Sequence, residues 1–190
     1  MAEKSQVIFE RDVVEFVTVA AEYCAFLEKS EGAVRTPFVD TLLKLLPLLY
    51  IKGSMLPECA RMDEYNEPEH FVTEDDYEVI RLTMADVLGA CDDYLDVFVA
   101  DMKYSDTPIR KTISEDLADI YQDIKNFVCQ FKTGINAAMN DALVECRENF
   151  AQYWGQTLVN TMRALHEVKF GETDDEEDLD NGDLTACGDI

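Results

Sequence analysis

Apolar side chains recur every third or fourth residue through most of this chain, and that spacing admits one kind of secondary structure. Leu117, Ile120, Tyr121, Ile124, Val128 and Phe131 give the cleanest example. An α-helix turns about 100° per residue, so these six form one stripe, whereas a strand would scatter them over both faces. Val13, Val17, Ala20, Cys24 and Leu27 make a similar seam on a first helix read from about Gln6 to Lys29, with Arg11, Glu15, Thr18, Glu22 and Lys29 opposite. Tyr77, Ile80, Met84, Val87, Leu88 and Cys91 share a face on a third helix. Its first turn is Thr73-Glu-Asp-Asp, acids placed where the helix dipole favours them. The fold class predicted is all-α: an up-and-down, bundle-like domain of five or six helices.

The breaks between these patterns are also chemical. Ser30-Glu31-Gly32 ends the first helix, with Gly32 as a left-handed stop. Thr36-Pro37 opens the second, Thr36 as N-cap and Pro37 at the first helical position. Leu42, Leu43, Leu45, Leu46, Leu48, Leu49 and Ile51 make that helix apolar almost all round, which predicts a central place. Pro47 within it predicts a kink. Gly53 to Pro57 closes it, and Glu58 to Phe71 reads as a polar connection. Ser114 is expected to cap the fourth helix, and Thr133-Gly134 to end it. From Ile135 to about Phe170 runs a long pattern with a bend at Gly155. Taken as one continuous helix, it aligns Leu143, Phe150, Trp154, Leu158, Leu165 and Val168. The stretch Asp92 to Thr107 stays open between a short strand and an irregular crossing, with a turn at Ser105-Asp-Thr-Pro108.

Charge restricts the partners. The chain carries 16 Lys and Arg against 40 Asp and Glu, a net −24. Such a surface repels phosphate, which excludes direct binding to nucleic acid or to an anionic membrane. Nine of the acids fall after Gly171, with no base among them, so residues 1–170 read as the helical bundle domain and 171–190 as a disordered acidic tail. Without the tail the body still holds 31 acids against 16 bases, a net −15. The N-terminus has no apolar run behind a basic segment, and Leu42 to Ile51 is interrupted by Lys44 and Pro47 and too short to span a bilayer. Six cysteines, at 24, 59, 91, 129, 146 and 187, form no CxxC pair and read as reduced thiols. The expected location is the cytoplasm.

No motif assigns an activity. A carboxylate-bridged di-iron bundle needs Glu-x-x-His on two helices. Here Glu67-Pro-Glu-His70 matches once, in a loop, and His166 is preceded by Arg163. Cysteine–histidine zinc spacing, GxSxG, GxGxxG and GxxxxGK[ST] are missing, and Asp178, Asp180 and Gly182 are out of phase with a calcium loop. No metal or other cofactor is expected. What remains is a row of carboxylates on the fourth helix, Asp116 and Asp123 at one edge of the apolar stripe and Asp119 further out. Arg147 falls within the seam of Leu143, Phe150 and Trp154. A guanidinium there is costly unless a carboxylate satisfies it, so an internal partner is expected among Asp116, Asp119 and Asp123. Trp154 reads as core, its indole donor meeting a carbonyl or an acid. With His166, these residues are the candidate binding set.

Five segments together resemble one family: Glu22-Tyr-Cys-Ala-Phe-Leu-Glu28, Leu45-Leu-Pro-Leu-Leu-Tyr50, Ser114-Glu-Asp-Leu-Ala-Asp-Ile-Tyr-Gln-Asp123, Tyr153-Trp-Gly155 and Leu158 to His166. They are similar to bacterial domain-of-unknown-function family 5063, over roughly Val7 to Val168. The resemblance implies an all-helical fold and no assigned activity, and it carries no catalytic residues over. The resemblance also implies that members are often encoded beside a ribonuclease D-like exonuclease, an association and not a mechanism; a nuclease is one candidate for a basic partner because the body is so acidic. The leading functional expectation is a non-enzymatic interaction or regulatory protein that meets a basic protein, in one version as a mimic of nucleic acid. The alternatives are a metal-dependent or small-ligand enzyme using Asp116, Asp123 and Arg147, and a homo-oligomer held by a leftover apolar face.

Overall fold

The stripes predicted for the first, third and fourth helices each lie on the buried side of a helix, apart from Cys91, which falls beyond the end of the third. The structure is a computed structural model, and it describes residues 7–63, 69–96 and 109–171. A 3₁₀ turn at Val7–Phe9 leads into α1 (Arg11–Glu28), followed by α2 (Arg35–Ser54) and α3 (Glu74–Leu88). A second 3₁₀ turn, Gly89–Cys91, precedes β1 (Asp93–Asp96); β2 (Ile109–Thr112) then runs directly into α4 (Ile113–Lys132). α5 (Asn136–Asn149) continues through a π-helical turn, Phe150–Trp154, into α6 (Gly155–Phe170). The fold is all-α, with one small antiparallel pair of strands. The acidic tail and the turn at Ser105–Pro108 lie outside the described residues.

The punctuation is local chemistry. Gly32 and Gly134 adopt φ of +69° and +70°, the left-handed region that suits glycine after a helix. Thr73 caps α3 reciprocally: its hydroxyl accepts from Asp76 N at 3.1 Å, and the Asp76 carboxylate accepts from Thr73 N at 3.1 Å. Two expected caps are corrected. Val34 precedes α2, so Thr36 and Pro37 sit inside its first turn, where proline's missing donor costs nothing. Thr112, not Ser114, caps α4, its hydroxyl accepting from Glu115 N at 3.3 Å. Ser114 is buried instead, and donates to Asp92 from its amide at 2.7 Å and its hydroxyl at 2.6 Å. α2 runs unbroken through Pro47.

The central helix is α4, not α2. α4 packs against α1, α3, α5 and α6, and eleven of its residues are buried. α2 lies between α1 and α6, with six buried, and leaves Leu48 and Ile51 exposed at 42% and 52%. Apolar residues all round a helix do not centre it when neighbours cover one side only. α4 goes inside because its polar edge also finds partners there. The stretch left open at Asp92 to Thr107 is in part a strand: Tyr94 pairs with Lys111 and Leu95 with Arg110. β2 was not foreseen, since Ile-Arg-Lys-Thr carries no alternation that marks it.

The π-helical turn has a visible cause. The Gly155 amide bonds back to Phe150 O, five residues earlier, and a Cβ at Gly155 would lie 2.4 Å from that oxygen. Only glycine fits. The turn delivers Trp154 to the middle of the core, fully buried, with Phe150 and Phe16 against it at 4.7 and 6.3 Å between ring centroids. α2 approaches so closely here that a Cβ on Gly53 would lie 2.7 Å from Trp154 Cη2.

Candidate functional site

The helical repeat places Asp116, Asp119, Asp123, Asn126 and Gln130 along one edge of α4, at alternating steps of three and four. Each is met by side chains or backbone from another part of the fold. Tyr94 of β1 donates to Asp116 Oδ2, and Thr161 Oγ1 of α6 lies 3.4 Å from the same oxygen. Tyr77 of α3 donates to Asp119 Oδ1 at 2.8 Å, while Tyr153 of the π-helical turn donates to its other oxygen. Asn149 of α5 donates to Asp123 Oδ1 at 2.9 Å. Asn126 Oδ1 accepts from the amides of Phe71 and Val72 at 2.7 and 3.0 Å, and its Nδ2 faces His70 Nδ1 at 3.3 Å. Gln130 Nε2 donates to Glu69 O at 3.4 Å. The edge is therefore a polar spine that ties α3, α5, α6, β1 and the segment before α3 to one helix.

Burial sets the electrostatics of this spine. Asp116, only 3% exposed, has its carboxyl pushed up to about 6, chiefly by burial, against the opposing pull of the Tyr94 bond and Lys111. Asp123 is likewise pushed up to about 6 by burial, with the Asn149 bond opposing. Burial raises the phenols of Tyr77, Tyr94 and Tyr153 as well, and their bonds to carboxylates add to it. A small cavity of about 20 Å³ lies beside the spine, lined by His70, Asp123, Asn126, Glu145, Cys146 and Asn149. That is room for one water. Among the described residues no three His, Cys, Asp or Glu side chains converge to hold a metal ion.

Residues 7–171 match the model of the family described as "Domain of unknown function (DUF5063)". The chain belongs to this family. It is also similar to the crystal structure of protein BF1032 from Bacteroides fragilis, a structural-genomics target. The two share 54% identity and a TM-score of 0.79, over 89% of this chain and 99% of that one. No curated protein matches.

In this family member the structure brings together only part of the predicted set. Asp116, Asp119 and Asp123 share the spine. Arg147 does not reach them: its guanidinium pairs with Glu58 at 2.6 Å, where the two side chains are 38% and 83% exposed. The expectation of an internal partner is overturned, for two reasons. The seam of α5 runs through Met139, Ala142, Leu143 and Cys146, one step short of Arg147. The π-helical turn also adds a residue, so counting back from Trp154 at the α-helical repeat misplaces everything before it. Asn149, which does face Asp123, stands about 200° around α5 from Arg147. Trp154 lies in the core, and its indole donates to Cys146 O at 3.0 Å. His166 is on the exposed face of α6, its ring against Phe170 at 4.7 Å. The residues that sequence reasoning missed are Tyr77, Tyr94, Tyr153, Asn149 and Thr161. The heptad-like run of polar residues on α4 was the available signal for where they converge.

No helix among the described residues is long and apolar enough to cross a membrane.

Proposed function

We propose that this family member is a non-enzymatic interaction protein whose anionic surface receives a basic partner, a nuclease or similar enzyme being one candidate. The observation that supports the reading is the state of the cations. Arg11, Lys52, Arg61, Arg81, Arg110, Lys111, Lys125, Arg147 and Lys169 each sit within 4.0 Å of a carboxylate. With acids outnumbering bases by 31 to 16 before the tail, that internal pairing leaves a surplus of carboxylates facing solvent, among them Glu22, Glu31, Glu74, Asp75, Asp86 and Glu115. A surface of one sign steers and holds a partner of the other, and a row of carboxylates can occupy a groove built for phosphates. An enzyme built on Asp116, Asp123 and Arg147 is the weaker reading, because Arg147 stands away from both aspartates. The test is capture from lysate with the tagged full chain. The expected catch is a partner of basic isoelectric point, released progressively as salt rises from 50 to 300 mM, on the order of tenfold or more in affinity. Capture of no basic protein, or binding indifferent to salt, overturns the reading.

A further inference from the structure

One carboxylate of α4 is reached from both strands. Tyr94 and Lys111 are cross-strand partners, so one residue from each strand reaches the same carboxylate. Tyr94 Oη donates to Asp116 Oδ2, and Lys111 Nζ stands 3.9 Å from Oδ1. From the other side comes Thr161 of α6, at 3.4 Å from Oδ2. Asp116 is thus where β1, β2, α4 and α6 converge.

The arrangement compensates its charge poorly. Lys111 is nearer to Asp96 Oδ2, at 3.5 Å, than to Asp116, so two buried carboxylates share that ammonium. The hydroxyl hydrogen of Thr161 is directed mainly to Thr157 O, at 2.8 Å. Asp119, one turn along α4, adds negative charge; Asp96 of β1 acts on Tyr94, and the phenols of Tyr23 on α1 and Tyr153 in the π-helical turn also face Asp116. Arg163 of α6 acts on Tyr94 in the opposite sense. An ionised carboxylate that is almost wholly removed from water, with one strong donor and a shared cation, is disfavoured against its protonated form. Once Asp116 is protonated, Tyr94 can still donate to it, and Lys111 is left to Asp96.

We propose that Asp116 is a proton-operated anchor for the β1–β2 pair, seating both strands against α4 and α6 more firmly as the solution is acidified. The direction follows from linkage. When the strands are lifted, Asp116 meets water and titrates in the ordinary carboxylate range; when they are seated, it holds its proton up to about 6. The seated form therefore gains as pH falls through 6, and the gain levels off below the ordinary range. Between pH 7.5 and pH 5 the ratio of seated to lifted strands should rise about tenfold.

Amide hydrogen exchange of the full chain, corrected for the intrinsic pH dependence of exchange, tests this. Protection of Asp93–Asp96 and Ile109–Thr112 is expected to rise about tenfold from pH 7.5 to pH 5 in the wild type. In Asp116→Asn the rise should vanish, with protection near the wild-type low-pH level. Asp123→Asn, which alters a spine carboxyl away from the strands, should keep the rise. A ¹³C titration of the wild-type Asp116 carboxyl gives a reading that needs no variant to fold, and its midpoint should fall near 6. The proposal is overturned if wild-type protection is flat or falls on acidification, if Asp116→Asn retains the rise, if Asp123→Asn abolishes it, or if Asp116 titrates near 4. None of these outcomes depends on the identity of a partner, so failure here leaves the interaction reading standing, and the reverse also holds.

Discussion

Replacing Gly53 by alanine should destabilise the protein although alanine is the better helix former. Alanine in a helix interior gains up to about 1 kcal/mol over glycine, and less at position 53, since α2 ends at Ser54. Against this stands the new methyl, 2.7 Å from Trp154 Cη2 and 3.3 Å from Phe150 Cδ2, where carbon atoms settle at about 3.5–4.0 Å. Trp154 has nowhere to retreat. It is fully buried, its indole is held by Cys146 O at 3.0 Å, and Phe16 and Phe150 flank it. Overpacking of this kind costs about 1–3 kcal/mol, so the net loss should be about 1–2 kcal/mol, or roughly 2–8 °C in Tm for a domain of this size. Trp154 is the single tryptophan, which makes its fluorescence in a urea titration a direct report on the contact itself. The midpoint should fall while the slope m stays unchanged. A Gly53→Ala protein as stable as the wild type, or more so, would refute the claim that this contact fixes how closely α2 approaches the α5–α6 rod.

The remaining predictions concern charge. Because burial raises the Asp116 and Asp123 carboxyls to about 6, the folded state takes up protons more readily than the unfolded chain. Stability should therefore increase as pH falls from 7.5 towards 5, by about 1–3 kcal/mol in all, and falling net charge acts in the same direction. Below that window the sense reverses, since the carboxyls of Glu28, Asp76 and Glu78 are held below their ordinary range and lose their bonds on protonation. Thermal melts from pH 4 to pH 8 should show a maximum near pH 5; a Tm that declines steadily from pH 7.5 downward would contradict this. Arg147→Met should change stability by no more than about 0.5 kcal/mol, since its pair with Glu58 is solvent-exposed. A loss of several kcal/mol on chemical denaturation would instead mean a buried partner.

Much of the helical architecture is legible in the chain, because caps and stops are local chemistry. The Thr73 box, Gly32, Gly134 and the stripe from Leu117 to Phe131 need no knowledge of neighbours. What covers a helix is a different matter. α2 reads as central from its leucines alone, yet α4 takes that place because distant tyrosines and amides satisfy its polar edge. The aspartates of the spine show in sequence as a spacing; their partners come from β1, α3, α5, α6 and the π-helical turn, and no local pattern joins Tyr94 to Asp116. The error over Arg147 is one of phase, first along the seam of α5 and then through the π-helical turn. One extra residue in a helical turn leaves composition and propensity unchanged, and alters only the phase.

That extra residue also bears on how sequences of the family should be aligned and edited. The extra residue is absorbed locally, so a one-residue deletion within Phe150–Trp154 would close the π-helical turn to an α-helical one and leave α6 in phase with α5. Leu158, Thr161 and Leu165 would then keep the interior places they now occupy, and the loss would fall on the turn itself, where Phe150 packs on Trp154. A gap between Asn149 and Gly155 would therefore mark a chain that lacks the turn but keeps the same inward side of α6.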